Sequence, residues 1–413
     1  QKKSENGGWE RQINGISNNE KAVLLLEKRT FKELLVDMEL RNLQNNIVGQ
    51  EASRLFARAE INMGVEAFRD SLYSLLKRNT FLNIKFENML DTLGEISRTD
   101  IRSLLGEWEK TTPLPFYSLG EPTLTKITNK GGEEFFVLKM LISNNSDYDG
   151  IIHMDIRKDG WWYQPLEDPR AKTKIEMPAH TSKEFVSVWE DQIRNVEINT
   201  MVSGNLPNII SQDINNVKQE RNKIVKDSIY ILPESSFDLP GEIIVDNEDS
   251  TLFILSAPPI VGLLPKWLDE VEETPFKYSG ISWWRPPLQW TATTNDRYYG
   301  KYIRSAFVIK SGDGSQTATW KVPVPEVGQY DLYYHVFKDD ELRWNNNLQG
   351  EYHFKVKYGS EVEDAYVNLR KANEGWEQLG SYYFDSDTIR VVLTDECKLR
   401  SVTADAVKIV KRY

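Results

Sequence analysis

Thr317-Ala-Thr-Trp-Lys-Val-Pro-Val-Pro-Glu-Val-Gly-Gln-Tyr-Asp-Leu-Tyr-Tyr-His-Val-Phe337 holds two strand-like runs, Ala318 to Val322 and Gln329 to Phe337, on either side of a Pro325 to Gly328 turn signal. Proline presets the backbone at such a turn and glycine relaxes it, so the pair separates strands. The same texture extends outward. Gly241 to Val245, Tyr352 to Tyr358, Ala365 to Leu369, Gly375 to Phe384, Thr388 to Leu393 and Ala404 to Val410 read as further strands, with Gly312-Asp313-Gly314 and Asn345 to Gly350 as turns. Short strands at this spacing predict a jelly-roll type of β-sandwich.

Upstream, Glu134 to Ser143 and Gly150 to Arg157 alternate around the Asn144-Asn145-Ser146-Asp147 turn, and Glu184 to Trp189 and Val196 to Met201 continue the pattern. These predict an immunoglobulin-like sandwich over about 118–210, followed by a polar stretch, 211–228, read as a short helix or a linker. Before Pro113 and Pro115 the period becomes helical: Leu24, Leu25, Phe31, Leu34, Leu35 and Met38, then Ala52 to Ile61, Val65 to Leu76, Phe86 to Leu93 and Ile101 to Trp108, the last capped by Thr99 or Asp100. The fold class is therefore a multidomain α+β chain, an N-terminal helical block followed by two mainly antiparallel β-sandwich domains.

The 413 residues fit several domains, and 40% hydrophobic with 27% charged residues is ordinary for a globular protein. A formal net charge of -11 disfavours nucleic acid and anionic lipid as general partners, since both would be repelled. No stretch approaches the roughly 18 apolar residues of a membrane span. One cysteine, Cys397, permits no internal disulfide. The chain begins at Gln1, without a signal-peptide pattern, and reads as a processed product or a piece of something longer.

Twelve Trp, eighteen Tyr and sixteen Phe exceed the usual needs of a core. Trp283, Trp284, Arg285 and Trp290, with Tyr298 and Tyr299, form the densest aromatic text: rings stack on sugar faces and Arg bonds hydroxyls. Trp344, in Arg343 to Leu348, is a loop aromatic of the same kind, whereas Trp376 in Gly375 to Gly380 reads as structural. Trp161-Trp162-Tyr163 is the other aromatic concentration. Glu248-Asp249, Asp339 to Glu341 and Asp385 with Asp387 sit in turn-like text, where acids are expected to be solvated, so no catalytic carboxylate pair is assigned. No Ca2+ loop pattern surrounds Asp313 or Asp339 to Glu341, and no cofactor is expected.

Two family resemblances follow from particular motifs. Glu242 to Asn247, Tyr298-Tyr299-Gly300, Arg304-Ser305-Ala306, Thr317 to Trp320, Gly328 to Tyr333 and Ala404 to Val407 keep the order of the golvesin and xanthan-lyase carbohydrate-binding-like domain, over about 240–411. The resemblance implies a scaffold of that kind and adhesion to an extracellular sugar polymer. Met63 to Asn79, Phe86 to Ser97 and Asp100 to Trp108 resemble the closing helices of gluzincin zinc aminopeptidases. That chemistry needs His-Glu-x-x-His, and no His-Glu pair exists; His153, His180, His335 and His353 have no ligand spacing.

The expected organisation is a flexible lead-in at 1–22, an aminopeptidase-like helical domain at 23–115, an immunoglobulin-like sandwich and linker at 116–228, and a golvesin-like jelly roll at 229–413. The function expected is a non-catalytic binding or adhesion module, directed at polysaccharide. It would be extracytoplasmic (periplasmic, cell-surface or secreted), at the C-terminal part of a larger bacterial envelope protein. The alternative is an accessory region of a zinc aminopeptidase-like enzyme, its partner being a peptidase-like region upstream on the same polypeptide. Without the imidazole pair the chain is expected to show no peptidase activity of its own. Stoichiometric zinc surviving dialysis, together with chelator-sensitive cleavage of aminoacyl substrates, would overturn this.

Overall fold

The computed structural model describes residues 13–412 except 81, 99, 105–109, 129–130, 159–163, 222–224, 234–236, 238–240, 257–275, 283–284 and 339–349. The chain forms two compact units, one of residues 18–237 and one of 1–17 with 238–413. Of the expected lead-in, residues 1–12 lie outside the described residues, Ile13 and Asn14 are helical, and a further helix starts at Asn18.

In the 18–237 unit the helices are α1 (Asn18–Lys28), α2 (Phe31–Val36), α3 (Gln44–Met63), α4 (Val65–Arg78) and α5 (Phe86–Ser97). Thr30 caps α2 in a reciprocal box with Glu33, which satisfies amide groups the helix cannot pair internally. Gly64 (φ 85) ends α3 and opens α4, and α4 turns Phe68, Ser71 and Leu75 inward at helical spacing. Leu55, Phe68, Leu75, Leu90 and Leu93 share one core. The run expected to be a helix from Ile101 begins as a short 3-10 turn, Arg102–Leu104, with the Ser103 amide donating to Asp100 Oδ1 at 3.2 Å.

The strands of this unit are β1 (Tyr117–Leu119), β2 (Thr123–Thr128), β3 (Glu134–Asn144), β4 (Gly150–Lys158), β5 (Gln164–Pro165), β6 (Lys172–Met177), β7 (Thr181–Trp189), β8 (Ile193–Asn199), β9 (Ile209–Asp213), β10 (Val217–Arg221) and β11 (Ser228–Pro233). One sheet runs β10-β2-β3-β7-β11 with β1 beside β3; the other runs β5-β4-β8-β9 with β6 beside β4. Leu138, Met140, Ile152, Met154, Trp189 and Ile198 fill the core they share. The polar stretch 211–228 is neither helix nor plain linker. It holds the end of β9, the whole of β10 and the start of β11. Its side chains are polar because β10 is an edge strand, paired parallel to β2 with Lys218, Gln219 and Glu220 exposed.

The second unit contains β12 (Glu242–Val245), β13 (Phe253–Leu255), β14 (Thr291–Thr294), β15 (Ser305–Lys310), β16 (Thr317–Pro323), β17 (Gly328–Val336), β18 (Glu351–Tyr358), β19 (Glu361–Asn368), β20 (Gly375–Phe384), β21 (Thr388–Thr394), β22 (Ser401–Ala404) and β23 (Val407–Lys411). A four-stranded sheet, β12-β23-β17-β20, and a five-stranded sheet, β13-β16-β21-β18-β19, share one core, and β14-β15-β22 form a third sheet. Tyr334 from the first sheet packs at 4.9 Å from Phe354 and 6.2 Å from Trp320 of the second, measured between ring centres. The closing strand expected over Ala404 to Val410 is two strands, β22 and β23, in different sheets, because the chain crosses between them at Asp405-Ala406.

Among the described residues no helix is long and apolar enough to cross a membrane.

Gly15 belongs to the second unit, and its carbonyl accepts from Thr294 Oγ1 at 2.7 Å. Its φ is 79, and a Cβ there would lie 2.4 Å from the Ser279 carbonyl carbon, a contact that backbone atoms cannot relieve locally. Gly15→Ala is therefore expected to cost about 1–3 kcal/mol, read as an earlier thermal unfolding transition of the full chain; an unchanged transition would mean that this contact does not hold the segment.

Candidate functional site

On β17 the side chains alternate: Tyr330, Leu332, Tyr334 and Val336 are buried, while Tyr333 and His335 face outward. Antiparallel pairing sets Trp376 of β20 opposite His335 and Lys408 of β23 opposite Tyr333. The rings of His335 and Trp376 are 5.2 Å apart, nearly perpendicular, and Tyr299 lies 5.0 Å from Trp376 and 5.8 Å from His335. Lys408 Nζ sits 4.8 Å from the Trp376 ring and 5.3 Å from the Tyr333 ring, and pairs with Glu242 at 2.9 Å. The result is an aromatic face with two polar tips, the His335 imidazole and the Lys408 ammonium.

Behind this face lies Asp405, fully buried. Its carboxylate accepts from His335 Nδ1 at 2.8 Å and from the Tyr299 amide at 3.2 Å, and its backbone carbonyl accepts from Trp320 Nε1 at 3.2 Å. Burial pushes the Asp405 carboxyl above its ordinary range; the His335 ring, the Tyr299 amide and Arg304 oppose that rise. With Nδ1 committed to Asp405, Nε2 is the ring nitrogen that remains for another partner.

A second polar cluster follows β12. Asn247 is buried with its side-chain amide 2.7 Å from Ser305 Oγ. Glu248, expected to be solvated, is instead held by Tyr278 Oη at 3.0 Å, Lys277 Nζ at 2.6 Å and Ser305 Oγ. Turn text gave no hint of these partners, which come from distant segments. Burial, then the Asp405 and Glu248 charges, raise the Asp246 carboxyl well above its usual value. Among the described residues no group of three or more His, Cys, Asp or Glu side chains is arranged to hold a metal ion.

The structure divides the residues that the sequence groups together. Trp283, Trp284 and Trp344 lie outside the described residues, as do Trp161, Trp162 and Tyr163. Arg285 is exposed and closes a small bridge with Ser282. Trp290 packs partly buried against the sandwich core, and Tyr298 is 6% exposed with its ring 4.6 Å from Phe337. Among the described members of that group, only Tyr299 reaches the aromatic face. Trp376 belongs to the face as well. Tyr333, His335, Asp405 and Lys408 were not legible as a group; the alternation along Tyr333 to Phe337 was the available signal, but the partners on β20 and β23 are set by pairing.

The Golvesin C-terminal domain family matches residues 286–411, so β12 and the Asp246 to Glu248 turn precede the matched region. No curated protein matches the chain. Solved structures with some similarity include a beta-glucuronidase of Bacteroides uniformis (12% identity, TM-score 0.22, 77% of this chain and 32% of that one). Murine APRIL is another (14% identity, TM-score 0.16, 31% of this chain and 95% of that one). The chain thus spans about a third of the length of the glucuronidase.

A carboxyl whose native pKa is raised adds a penalty that starts as pH climbs past the ordinary value of about 3.9 and grows until the native value is passed. Asp246→Asn removes that ionisation while keeping an oxygen for the Asn247 amide, which now donates to Asp246 Oδ1 at 2.7 Å. The variant should gain thermal stability relative to wild type as pH is raised from about 4 toward neutrality. A stability difference that does not change with pH would refute the buried-charge assignment.

Proposed function

We propose that the second unit is a carbohydrate-binding module, and that its sugar site is the outer face of the four-stranded sheet. One observation carries the reading. Within the region matching the Golvesin C-terminal domain, Tyr299, Tyr333 and Trp376 gather on one sheet face beside the His335 and Lys408 tips. Sugars offer an apolar ring face and a rim of hydroxyls, and partly exposed rings beside fixed donors meet both needs. Trp283, Trp284, Arg285 and Trp344 remain proposed contributors, while Trp290 and Tyr298 act through packing. In this reading the module serves an extracytoplasmic protein, with residues 116–228 as a sandwich spacer and the helices of 23–115 as the region resembling aminopeptidase closing helices.

The test is titration of the full chain with a panel of neutral and acidic polysaccharides, with unfolding recorded in parallel. Trp376→Ala is expected to weaken binding by roughly 5- to 150-fold, equivalent to about 1–3 kcal/mol, with Tyr299→Phe closer to wild type. Trp290→Ala should instead lower the unfolding temperature, as truncation of a packed aromatic does. No binding by wild type, or affinity unchanged by Trp376→Ala, would remove the site assignment.

A further inference from the structure

The opposite sheet has a different chemistry on its outer face. Along β16, β21 and β18 the inward positions are Trp320, Val391 and Val356, all fully buried, so the neighbouring positions point outward. Pairing sets Lys321 of β16 directly opposite Arg390 of β21, and Arg390 directly opposite Lys357 of β18. Lys355, two residues back on β18, shares the face. Arg390 and Lys357 are exposed, and Lys321 and Lys355 are partly so. Among the described residues, none of the four has a carboxylate within the 4.0 Å that defines an ion pair.

Such a row is unfavourable in itself. Like charges placed directly across neighbouring strands repel, at a strand spacing of about 4.8 Å. Carboxylates are abundant in a chain of net charge -11, yet Asp364, the one directly opposite Lys355, takes His353 Nε2 at 2.7 Å. Next to the row, Tyr366 stacks on His353 (4.8 Å between ring centres, 7° between planes) and remains 56% exposed. Three cations in line across about 10 Å, with an exposed ring beside them, suit a linear polymer that carries spaced negative charges on stackable rings.

We propose that this face is a second binding site, for an acidic polysaccharide, with Lys321, Arg390, Lys357 and Lys355 pairing its carboxylates or sulfates and Tyr366 stacking on a sugar ring. The glycan class rests on the reading above; the requirement for anionic charge does not. Sparse charge is favoured over dense charge. DNA, with one phosphate per roughly 1.7 Å of axis, would set many charges against the acidic remainder of the protein, whereas a glycan bearing at most one acid per ring meets mainly the row.

The experiment uses the full chain at about 50 mM salt with polygalacturonate and heparin as acidic glycans, dextran as the neutral one, a short DNA duplex and phosphatidylserine vesicles. The Lys321→Gln, Lys357→Gln, Arg390→Gln triple variant is compared with a charge-matched control, Arg69→Gln, Lys77→Gln, Arg78→Gln on α4. Polygalacturonate or heparin should bind wild type in preference to dextran, with affinity falling as salt rises. The triple variant should lose about 5-fold per cation, roughly 100-fold in all, and the control should not. Should the triple variant unfold early, Arg390→Gln alone, with its expected 5-fold loss, decides. Absence of acidic-glycan binding, equal binding of dextran, tighter binding of DNA or vesicles, or full affinity in the triple variant would each overturn the proposal. Trp376→Ala separates the two sites: loss there with the triple variant unaffected leaves the aromatic face standing and removes this one, and the converse does the reverse.

Discussion

The second unit depends on where one buried carboxylate finds its partners. Asp405 has no exposure to solvent, and an isolated charge in that position would be prohibitive. The fold answers with the His335 ring and the Tyr299 amide on the carboxylate and the Trp320 indole on the adjoining carbonyl. Those partners come from β17, β16 and the loop before β15, so a single residue ties several segments of the sandwich together. The same residue stands where the chain leaves β22 in one sheet and enters β23 in another. A bare crossing would leave peptide groups unpaired there, but the His335 amide donates to the Ala406 carbonyl at 2.9 Å.

The proposed site depends on that constraint, because His335 and Tyr299, which hold the Asp405 carboxylate, also contribute their rings to the aromatic face. His335 is held by its Nδ1 contact, which leaves Nε2 as the nitrogen open to a further partner. The Tyr299 backbone is pinned by its amide. The next residue, Gly300, passes so close to the Ile303 carbonyl that a Cβ would lie 1.9 Å from its oxygen, so the loop is tight and the Tyr299 ring stays against Trp376. A ring held by its own backbone loses little freedom when a ligand stacks on it, and preorganisation of this kind favours affinity.

Much of this fold is readable from pattern. The strands around Pro325 to Gly328, the helical spacing of Phe68 and Leu75, and the sandwich texture after Pro115 all depend on local periodicity, and the elements follow it. What periodicity cannot supply is adjacency. Glu248 reads as a turn acid because the text around it is turn-like, yet its partners Tyr278 and Ser305 lie 30 and 57 residues away. Val217–Arg221 falls in a stretch that reads as a short helix or a linker because edge strands need no apolar face. The aromatic run around Trp290 looks like one patch, but consecutive residues point to opposite sides of the chain. Tyr298 goes into the interior while Tyr299 goes out, and local composition cannot separate them.

A sandwich offers two outer faces, and here they differ in what their charges are free to do. On the four-stranded sheet the lysine beside the aromatics is occupied by Glu242 and by the faces of Trp376 and Tyr333, so the site proposed there would select for shape and hydroxyl geometry. On the five-stranded sheet the cations stand in register without carboxylate partners among the described residues, in a protein whose overall charge is strongly negative. As proposed, the two surfaces would sense different properties of a polymer. Ring contacts act over a few ångströms and are indifferent to salt, whereas the cationic row acts over about a Debye length and weakens as salt rises. A chain bearing both rings and sparse acids could engage either, and the second contact would then form at the effective concentration set by the first.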